Sequence, residues 1–355
     1  MPPSLKMRAD AFAELGNIMG WTADSYTTNE SSFKDSYPVL SEAMQSAVHH
    51  NPWFTDKNIA LALNTWKEVL SPEAIHDWIS IYETKIQNVE VKRVAVVMAG
   101  NIPLVGFHDF ICTLMAGHFF IGKLSSDDKI LLPALADVLC TIEPSFSQMI
   151  EFTENTLHDF DAIIATGSNN TARYFEYYFS KYPHVIRKNR NGIAILTGNE
   201  TDEELEKLGG DICNYFGLGC RNVSKVFIPD GYDPGKLFTA FNPFIKALSD
   251  HFKFMNNHSY HSSVYLLNST PFLDNGVFLL TESERYSSPI AVVYYQFYSS
   301  MQTLEEKLAM DDDLIQCIAS QSFNSSKTVP LGFTQSPGLV EYADGIDTMK
   351  FLLDL

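Results

Sequence analysis

Three shortages frame this sequence of 355 residues. Basic residues are scarce: 25 lysines and arginines stand against 43 aspartates and glutamates, a formal charge of −18 at pH 7. A far field of that sign repels phosphate backbones and anionic membrane surfaces, so nucleic acid is excluded as a nonspecific partner. Net charge does not describe a single cleft, and a local pocket for a phosphorylated cofactor stays open. Cysteine is also scarce. Cys112, Cys140, Cys213, Cys220 and Cys317 are odd in number and scattered, which excludes a disulfide framework and points to a reducing compartment. Long apolar runs are missing altogether: no segment approaches the roughly 18 residues a membrane helix needs, and MPPSLKMRADAFAELG has no signal-peptide core. A cytoplasmic protein with no membrane insertion is expected. Internal repeats and low-complexity tracts are absent too, and Asp311 to Asp313 reads as a solvated helix face or turn.

What is present is an ordinary globular composition, 45% hydrophobic and 13% aromatic, long enough for about two domains. Residues 1 to about 90 read as helical, with 3.6-residue periodicity in NIALALNTWKEVL and AIHDWISIYETKI and with Pro52 and Pro72 near helix starts. From residue 92 short β-branched runs alternate with amphipathic segments, the pattern of βα units on a mostly parallel sheet. RVAVVMA, HFFIGKL, DAIIATG, GIAILTG, SKVFIP, SVYLLN and AVVYYQF are the predicted strands. Thr201 with Glu204 forms a capping box, and Leu205, Leu208 and Ile212 continue at helical spacing toward Phe216.

Four stretches carry chemistry. In YFGLGCRNVSKVFIP, Cys220 falls between a predicted helix and a predicted strand, preceded by Gly217 and Gly219. A thiolate there can attack a carbonyl while its own amide N–H helps hold the oxyanion; the alternative is a small buried hydrophobe. In MAGNIPLVG, a strand ends in a Gly-Asn-x-Pro turn that would aim the Asn101 amide out of the carboxyl end of a sheet, suited to an oxyanion or, alternatively, to the turn's own backbone. HFFIGKLSSDDKILLPAL puts Lys123 at a strand end, with Ser125 and Ser126 in a Ser-Ser-Asp-Asp cap for the next helix, a place for ribose or phosphate. DAIIATGSNNTARYF gives a strand, then Thr166, Gly167 and Ser168, then a helix whose amino end could face a pyrophosphate.

The order and spacing of these stretches resemble the aldehyde dehydrogenase superfamily, and more closely its acyl-CoA reductase (LuxC) branch, from about Val91 onward. The resemblance implies an α/β aldehyde dehydrogenase-like fold: a helical N-terminal segment and a Rossmann-type cofactor domain over residues 1–187, an α/β catalytic domain over 188–328 and a closing segment over 329–355, where Pro330 to Phe333 resembles the superfamily's P-F-G turn. It implies Cys220 as nucleophile and Asn101 as oxyanion donor. Lys123 would bind the adenosine ribose, Thr166, Gly167 and Ser168 would lie beside the pyrophosphate, and Glu284 in ESERYSSPI would meet the cofactor ribose. No metal is implied: His258 and His261 lack a completing carboxylate or cysteine nearby in sequence.

Two departures refine the expectation. Oxidising members carry a water-activating Glu in an E-L-G-G strand, where this chain reads Ile186-Arg187-Lys188-Asn189-Arg190; its loss favours reduction of an acyl-CoA over oxidation of free aldehydes. NAD-preferring relatives often carry a Glu where Ser125 and Ser126 stand, so a 2′-phosphate meets less repulsion and NADP is expected, with NAD possible. An acyl-CoA substrate and a homodimer complete the expectation. An acyl-phosphate reductase of the same fold, a non-catalytic nucleotide-binding relative and a hydrolase or acyltransferase pairing Cys220 with a histidine such as His108 or His184 are the alternatives.

Overall fold

The alternating segments beyond residue 92 build two separate sheets in a computed structural model, which describes residues 2–28, 37–86 and 89–355. By internal contacts the chain forms two units, Met1–Lys188 with Pro337–Leu355, and Asn189–Ser336. Of the expected closing segment, residues up to Ser336 therefore belong with the second unit and those from Pro337 with the first.

Among the described residues the first unit opens with helices α1 (Leu5–Thr28), α2 (Pro38–His50), α3 (Asp56–Val69) and α4 (Pro72–Ser80), followed by a single helical turn, Glu83–Ile86. Local chemistry sets where they start. Thr55 accepts from Asn58 N and Ser71 from Ala74 N, with Pro72 in the first turn, where its missing N–H costs nothing. The sheet follows: β1 (Arg93–Val97), β2 (Phe119–Lys123), β3 (Ile150–Thr153), β4 (Ala162–Thr166) and β5 (His184–Arg187), all parallel in the order β3-β2-β1-β4-β5. The crossovers are α5 (Phe107–Ala116), α6 (Leu131–Ile142) and α7 (Asn169–Phe179). Ala95, Ile121, Phe160 and Ile163 fill one face of the sheet. Elsewhere in the unit Phe12 of α1 meets Phe110 and Phe146 edge-on, at 6.1 and 5.9 Å between ring centres, which clamps the amino-terminal helix onto α5. The chain leaves β1 in one direction for β2 and β3, then returns to its other side for β4 and β5. Strand order reverses at β1, the place where open α/β sheets bind ligands.

The second unit is a seven-stranded sheet ordered β12-β11-β6-β7-β10-β9-β8. Its strands are β6 (Asn191–Ile195), β7 (Val223–Pro229), β8 (Leu273–Asp274), β9 (Leu279–Glu282), β10 (Val292–Tyr298), β11 (Ile315–Ala319) and β12 (Thr328–Val329). All neighbours are parallel except the β8–β9 pair. Helix α8 (Asp202–Cys213) crosses from β6 to β7 and begins with the expected capping box. Ile193, Ile195, Phe227, Tyr286, Leu304, Leu308, Ile315 and Ile318 pack as one buried cluster of this unit, and Leu279, Val292 and Tyr294 as another.

One predicted strand is a helix. SVYLLN is the last part of α9 (Phe252–Leu267), which His251 caps by accepting from Phe254 N. A run this short carries no decisive period; once the helix starts at its cap, each residue adds a local bond. Only Phe254 and His258 of α9 are buried, and Leu266 and Leu267 face solvent. The Ser-Ser-Asp-Asp stretch also differs from expectation. It forms a turn closed by a Ser125–Asp128 bridge, and α6 starts only at Leu131, without a side-chain cap. No helix among the described residues is long and apolar enough to cross a membrane.

Arg187, at the end of β5, is buried. Its Nη1 and Nη2 donate to the Asp109 carboxylate at 2.6 and 2.7 Å, and Nη2 also reaches Thr348 Oγ1 at 2.9 Å in the closing helix Thr348–Leu353. The pair is bidentate and nearly dry, with side chains 6% and 3% exposed. Arg187→Ala leaves the Asp109 charge buried without its partner and is expected to cost about 3–5 kcal/mol in urea unfolding. A loss under about 1 kcal/mol would show that water reaches the site.

Candidate active site

The sequence motifs of the first unit meet at one edge of its sheet. Val97 of β1 is in register with Lys123 of β2 and with Ala165 of β4, so the three strands end level. The turn after β1 carries Asn101, the turn after β2 carries Ser125 and Ser126, and the turn after β4 carries Gly167 and Ser168. Asn101, Ser126 and Ser168 are exposed; Lys123, Ser125, Thr166 and Gly167 are half-buried. Lys123 Nζ donates to the Glu154 carbonyl just beyond β3. Ser168 caps α7 by accepting from Thr171 N at 3.2 Å, so the amino end of that helix lies directly after β4.

These turns are fastened by residues that carry no motif. Gly100 sits so close to the next turn that a Cβ there would lie 2.6 Å from Ser125 Oγ and 2.8 Å from Asp128 N; only glycine lets the two turns meet. Asp128 Oδ2 accepts from Leu104 N at 2.9 Å, which holds the Asn101 turn where Leu104 takes a left-handed φ of 63°. Asn51 donates to the Asp127 carbonyl at 3.2 Å and His50 Nε2 to the Ser126 carbonyl at 2.6 Å, so the end of α2 buttresses the same turn.

In the second unit Cys220 is exposed, whereas Cys213 and Cys317 are buried. It stands on the turn between α8 and β7, at the amino edge of the sheet. The approach to it is strained: Tyr215, Phe216 and Gly217 have φ of 53°, 58° and 74°, and left-handed backbone at the two non-glycine positions costs on the order of 1–3 kcal/mol each. Beyond the cysteine, Arg221 Nε donates to the Thr334 carbonyl at 2.6 Å. Asp211, buried in α8, accepts from Gly332 N, Thr334 N and Thr334 Oγ1 at 2.6, 3.0 and 2.8 Å. The Pro330 to Phe333 turn is thereby tied to the helix that leads into Cys220. Glu284 is exposed on the loop after β9, where its carbonyl accepts from Lys225 Nζ at 3.0 Å. Burial pushes the Lys225 ammonium down to about 8. Lys225 also donates to Gln296 Oε1 at 2.6 Å, bracing β7 against β10.

Of the residues that fasten the turns, Asp211 had a readable signal. Leu208, Asp211 and Ile212 share one face of α8, and an aspartate on an apolar helical face is either paired or a backbone anchor. Asn51 and Asp128 had none, because their partners are remote main-chain groups, and Thr334 had none, because it meets the Asp211 carboxylate only after folding. The histidines of the hydrolase alternative have other partners: His108 Nε2 donates to the Leu339 carbonyl at 3.0 Å, and His184 Nδ1 to the Tyr182 carbonyl at 2.8 Å. His258 pairs with Asp274 at 2.8 Å, and no group of metal-ligating side chains occurs among the described residues.

Two sheets of this connectivity, one wholly parallel and the other parallel but for its β8–β9 edge, form an aldehyde dehydrogenase-like fold. Solved structures share the fold. An oxidoreductase from Marinobacter aquaeolei matches with a TM-score of 0.62 at 9% identity, over 95% of this chain and 80% of that one. An aldehyde dehydrogenase from Physcomitrella patens, solved in complex with the reaction product succinate, matches at 0.60 and 11%, over 99% and 87%. An indole-3-acetaldehyde dehydrogenase complexed with NAD+ matches at 0.60 and 11%, over 92% and 74%. Identities this low speak to the fold alone. The acyl-CoA reductase (LuxC) family model matches residues 21–240, more than half of the chain, and the protein belongs to that family. No curated protein matches the sequence significantly.

Burial pushes the Asp128 carboxyl up from 3.8 to about 6, against the opposing pull of the Leu104 and Leu131 N–H groups and of His50. A folded-state value above the unfolded one means that the protonated form suits the fold. This contribution to stability is complete below about pH 4 and is lost as pH rises through about 6, to the extent of about 3 kcal/mol. Asp128→Asn mimics the neutral acid, so its urea midpoint is expected to match the wild type near pH 4 and to exceed it at pH 7.5. Parallel pH profiles for the two proteins would show that Asp128 does not titrate in this window.

Proposed function

We infer that the protein reduces an acyl-CoA thioester to the aldehyde with NADPH as hydride donor, through an acyl group carried on Cys220. The observation that carries this reading is an exposed cysteine on a backbone-strained, glycine-flanked turn, in a chain of the acyl-CoA reductase family.

The Cys220 thiolate attacks the carbonyl carbon of the thioester. Negative charge gathers on the carbonyl oxygen, where the Asn101 side-chain amide and the Cys220 N–H are the proposed donors. Collapse expels the CoA thiolate and leaves the acyl group as a thioester on Cys220. Bound reduced nicotinamide supplies the hydride that takes this acyl group to the aldehyde level, and the thiolate of Cys220 returns. Lys123, Ser125, Ser126, Thr166, Gly167 and Ser168 are proposed to hold the nucleotide. The donor set fits: an ammonium, several hydroxyls and the amino end of α7 gather at the carboxyl edge of a sheet whose strand order reverses at β1. Glu284 is proposed to meet the cofactor ribose. The stretch over residues 186–190, proposed to match the strand that bears the water-activating carboxylate of oxidising relatives, has no carboxylate, and its Arg187 is turned onto Asp109 in the interior; on this reading no base there promotes hydrolysis of the acyl-enzyme.

Incubation with acyl-CoA in the absence of nucleotide is expected to add one acyl mass, mapped by peptide mass spectrometry to Cys220 and missing from Cys220→Ala. Acylation of Cys213 or of no cysteine would refute the assignment. With NADPH present, reduced-nicotinamide absorbance should fall, and Asn101→Ala should slow that fall by about a hundredfold or more. A hydroxyl at residue 126 leaves room for a 2′-phosphate where a carboxylate would repel it. Ser126→Glu is therefore expected to weaken NADPH relative to NADH by roughly tenfold in fluorescence titration; an unchanged ratio would mean that the phosphate lies elsewhere.

A further inference from the structure

We propose that Asn222 is the positioning residue of the reaction: its side-chain amide holds Cys220 and the Cys220 N–H in the orientation that acyl transfer requires. This rests on the reading of Cys220 as nucleophile.

Asn222 stands two residues after the cysteine and is 2% exposed. Its Oδ1 accepts from Gly219 N at 2.8 Å, and its main-chain N–H donates to the Gly219 carbonyl at 3.0 Å. The residues before and after the Cys220–Arg221 pair are thus bonded to each other twice, and Cys220 projects from a closed loop. The other end of the amide faces upstream. Nδ2 donates to the carbonyls of Asp211 and Asn214, both at 2.9 Å, at the close of α8 and immediately before the left-handed run of Tyr215, Phe216 and Gly217. An asparagine amide has two N–H donors and one carbonyl oxygen; all are engaged here, on main-chain atoms either side of the strained segment.

The loop also has a floor. A Cβ at Gly192 of β6 would lie 2.5 Å from the Arg221 carbonyl and 2.6 Å from that of Asn222, so the backbone after the cysteine lies directly on the strand. Cys317 Sγ, from β11, donates to the Arg221 carbonyl at 3.6 Å. With the downstream side seated on the sheet and the upstream side in left-handed backbone, Asn222 is the side chain that joins the two. Without it, two carbonyls and the Gly219 N–H lose partners, and the strained run is free to relax toward ordinary dihedrals. The thiol itself is untouched by that relaxation. What changes is the direction of the sulfur and of the N–H beside it, and displacement of about 1 Å in such a group is enough to cost about a hundredfold in rate.

The test measures two reactions of the same thiol. Iodoacetamide alkylates any accessible thiolate and needs no oriented oxyanion donor; acyl transfer from acyl-CoA needs both. Asn222→Ala is expected to keep Cys220 alkylation within about threefold of the wild type while slowing formation of the acyl-Cys220 adduct about a hundredfold. In the reductase assay the loss should fall on kcat, with KM nearly unchanged. Asn222→Asp is isosteric and guards against a misfolded alanine variant. Its carboxylate keeps the acceptor for Gly219 but repels the carbonyls of Asp211 and Asn214, whereas the protonated acid donates to one of them, so acylation by this variant should rise as pH falls, relative to wild type at each pH. Acylation of both variants at wild-type rate, or equal loss of alkylation and acylation, would overturn the proposal. If wild-type Cys220 is alkylated but never acylated by any acyl-CoA, the reading of the nucleophile fails first and the proposal falls with it.

Discussion

Between the end of α8 at Cys213 and the start of β7 at Val223, the chain must leave a helix, reverse direction and enter a central strand while keeping one cysteine in solvent. That constraint organises the second unit. Tyr215 and Phe216 accept left-handed dihedrals, Gly192 gives up its side chain so that the loop can lie on β6, and Asn222 bonds to main-chain atoms on both sides of the turn. A strained segment survives only where its surroundings over-determine it. Here the surroundings are a sheet below, a helix end behind and the Thr334 turn beside, joined through Arg221 and Asp211.

Acidic residues give this chain its far field, yet three of them are withdrawn from it. Asp109, Asp128 and Asp211 are buried, and each holds a turn or a strand end. Asp109 receives the Arg187 guanidinium, Asp128 the Leu104 N–H, and Asp211 two backbone N–H groups and a hydroxyl. In each a carboxylate offers several lone pairs to buried donors, a guanidinium at Asp109 and turn N–H groups at Asp128 and Asp211. Burial raises the pKa of Asp128 and of Asp211, so these two anchors carry a desolvation penalty, whereas the Asp109 charge is answered by the Arg187 guanidinium. Arg187 closes the interior at the end of β5 by answering the Asp109 charge.

Much of the fold is legible in the sequence. β1, β2, β4, β6, β7 and β10 lie where β-branched and apolar runs placed them, and the Thr201 capping box opens α8 as its spacing requires. SVYLLN is short enough to fit either period, and its helical identity depends on the His251 cap further upstream. β3, β5 and β9 have four residues and β8 and β12 two, too few to show a pattern, whereas β11 is as long as strands whose runs are plain in the sequence.

The sequence by itself determined the charge, the alternation of elements and the family, and it nominated the candidate side chains, because each of these is written in composition or in spacing along the chain. Tertiary structure decided what holds those side chains. That Lys123 and Ala165 end level with Val97 follows from strand register, and that Asp128, Asp211 and Asn222 serve as anchors follows from main-chain donors and acceptors that become their neighbours only after folding. Backbone N–H and C=O groups are the same at every residue, so no sequence pattern can announce which of them a buried side chain will meet.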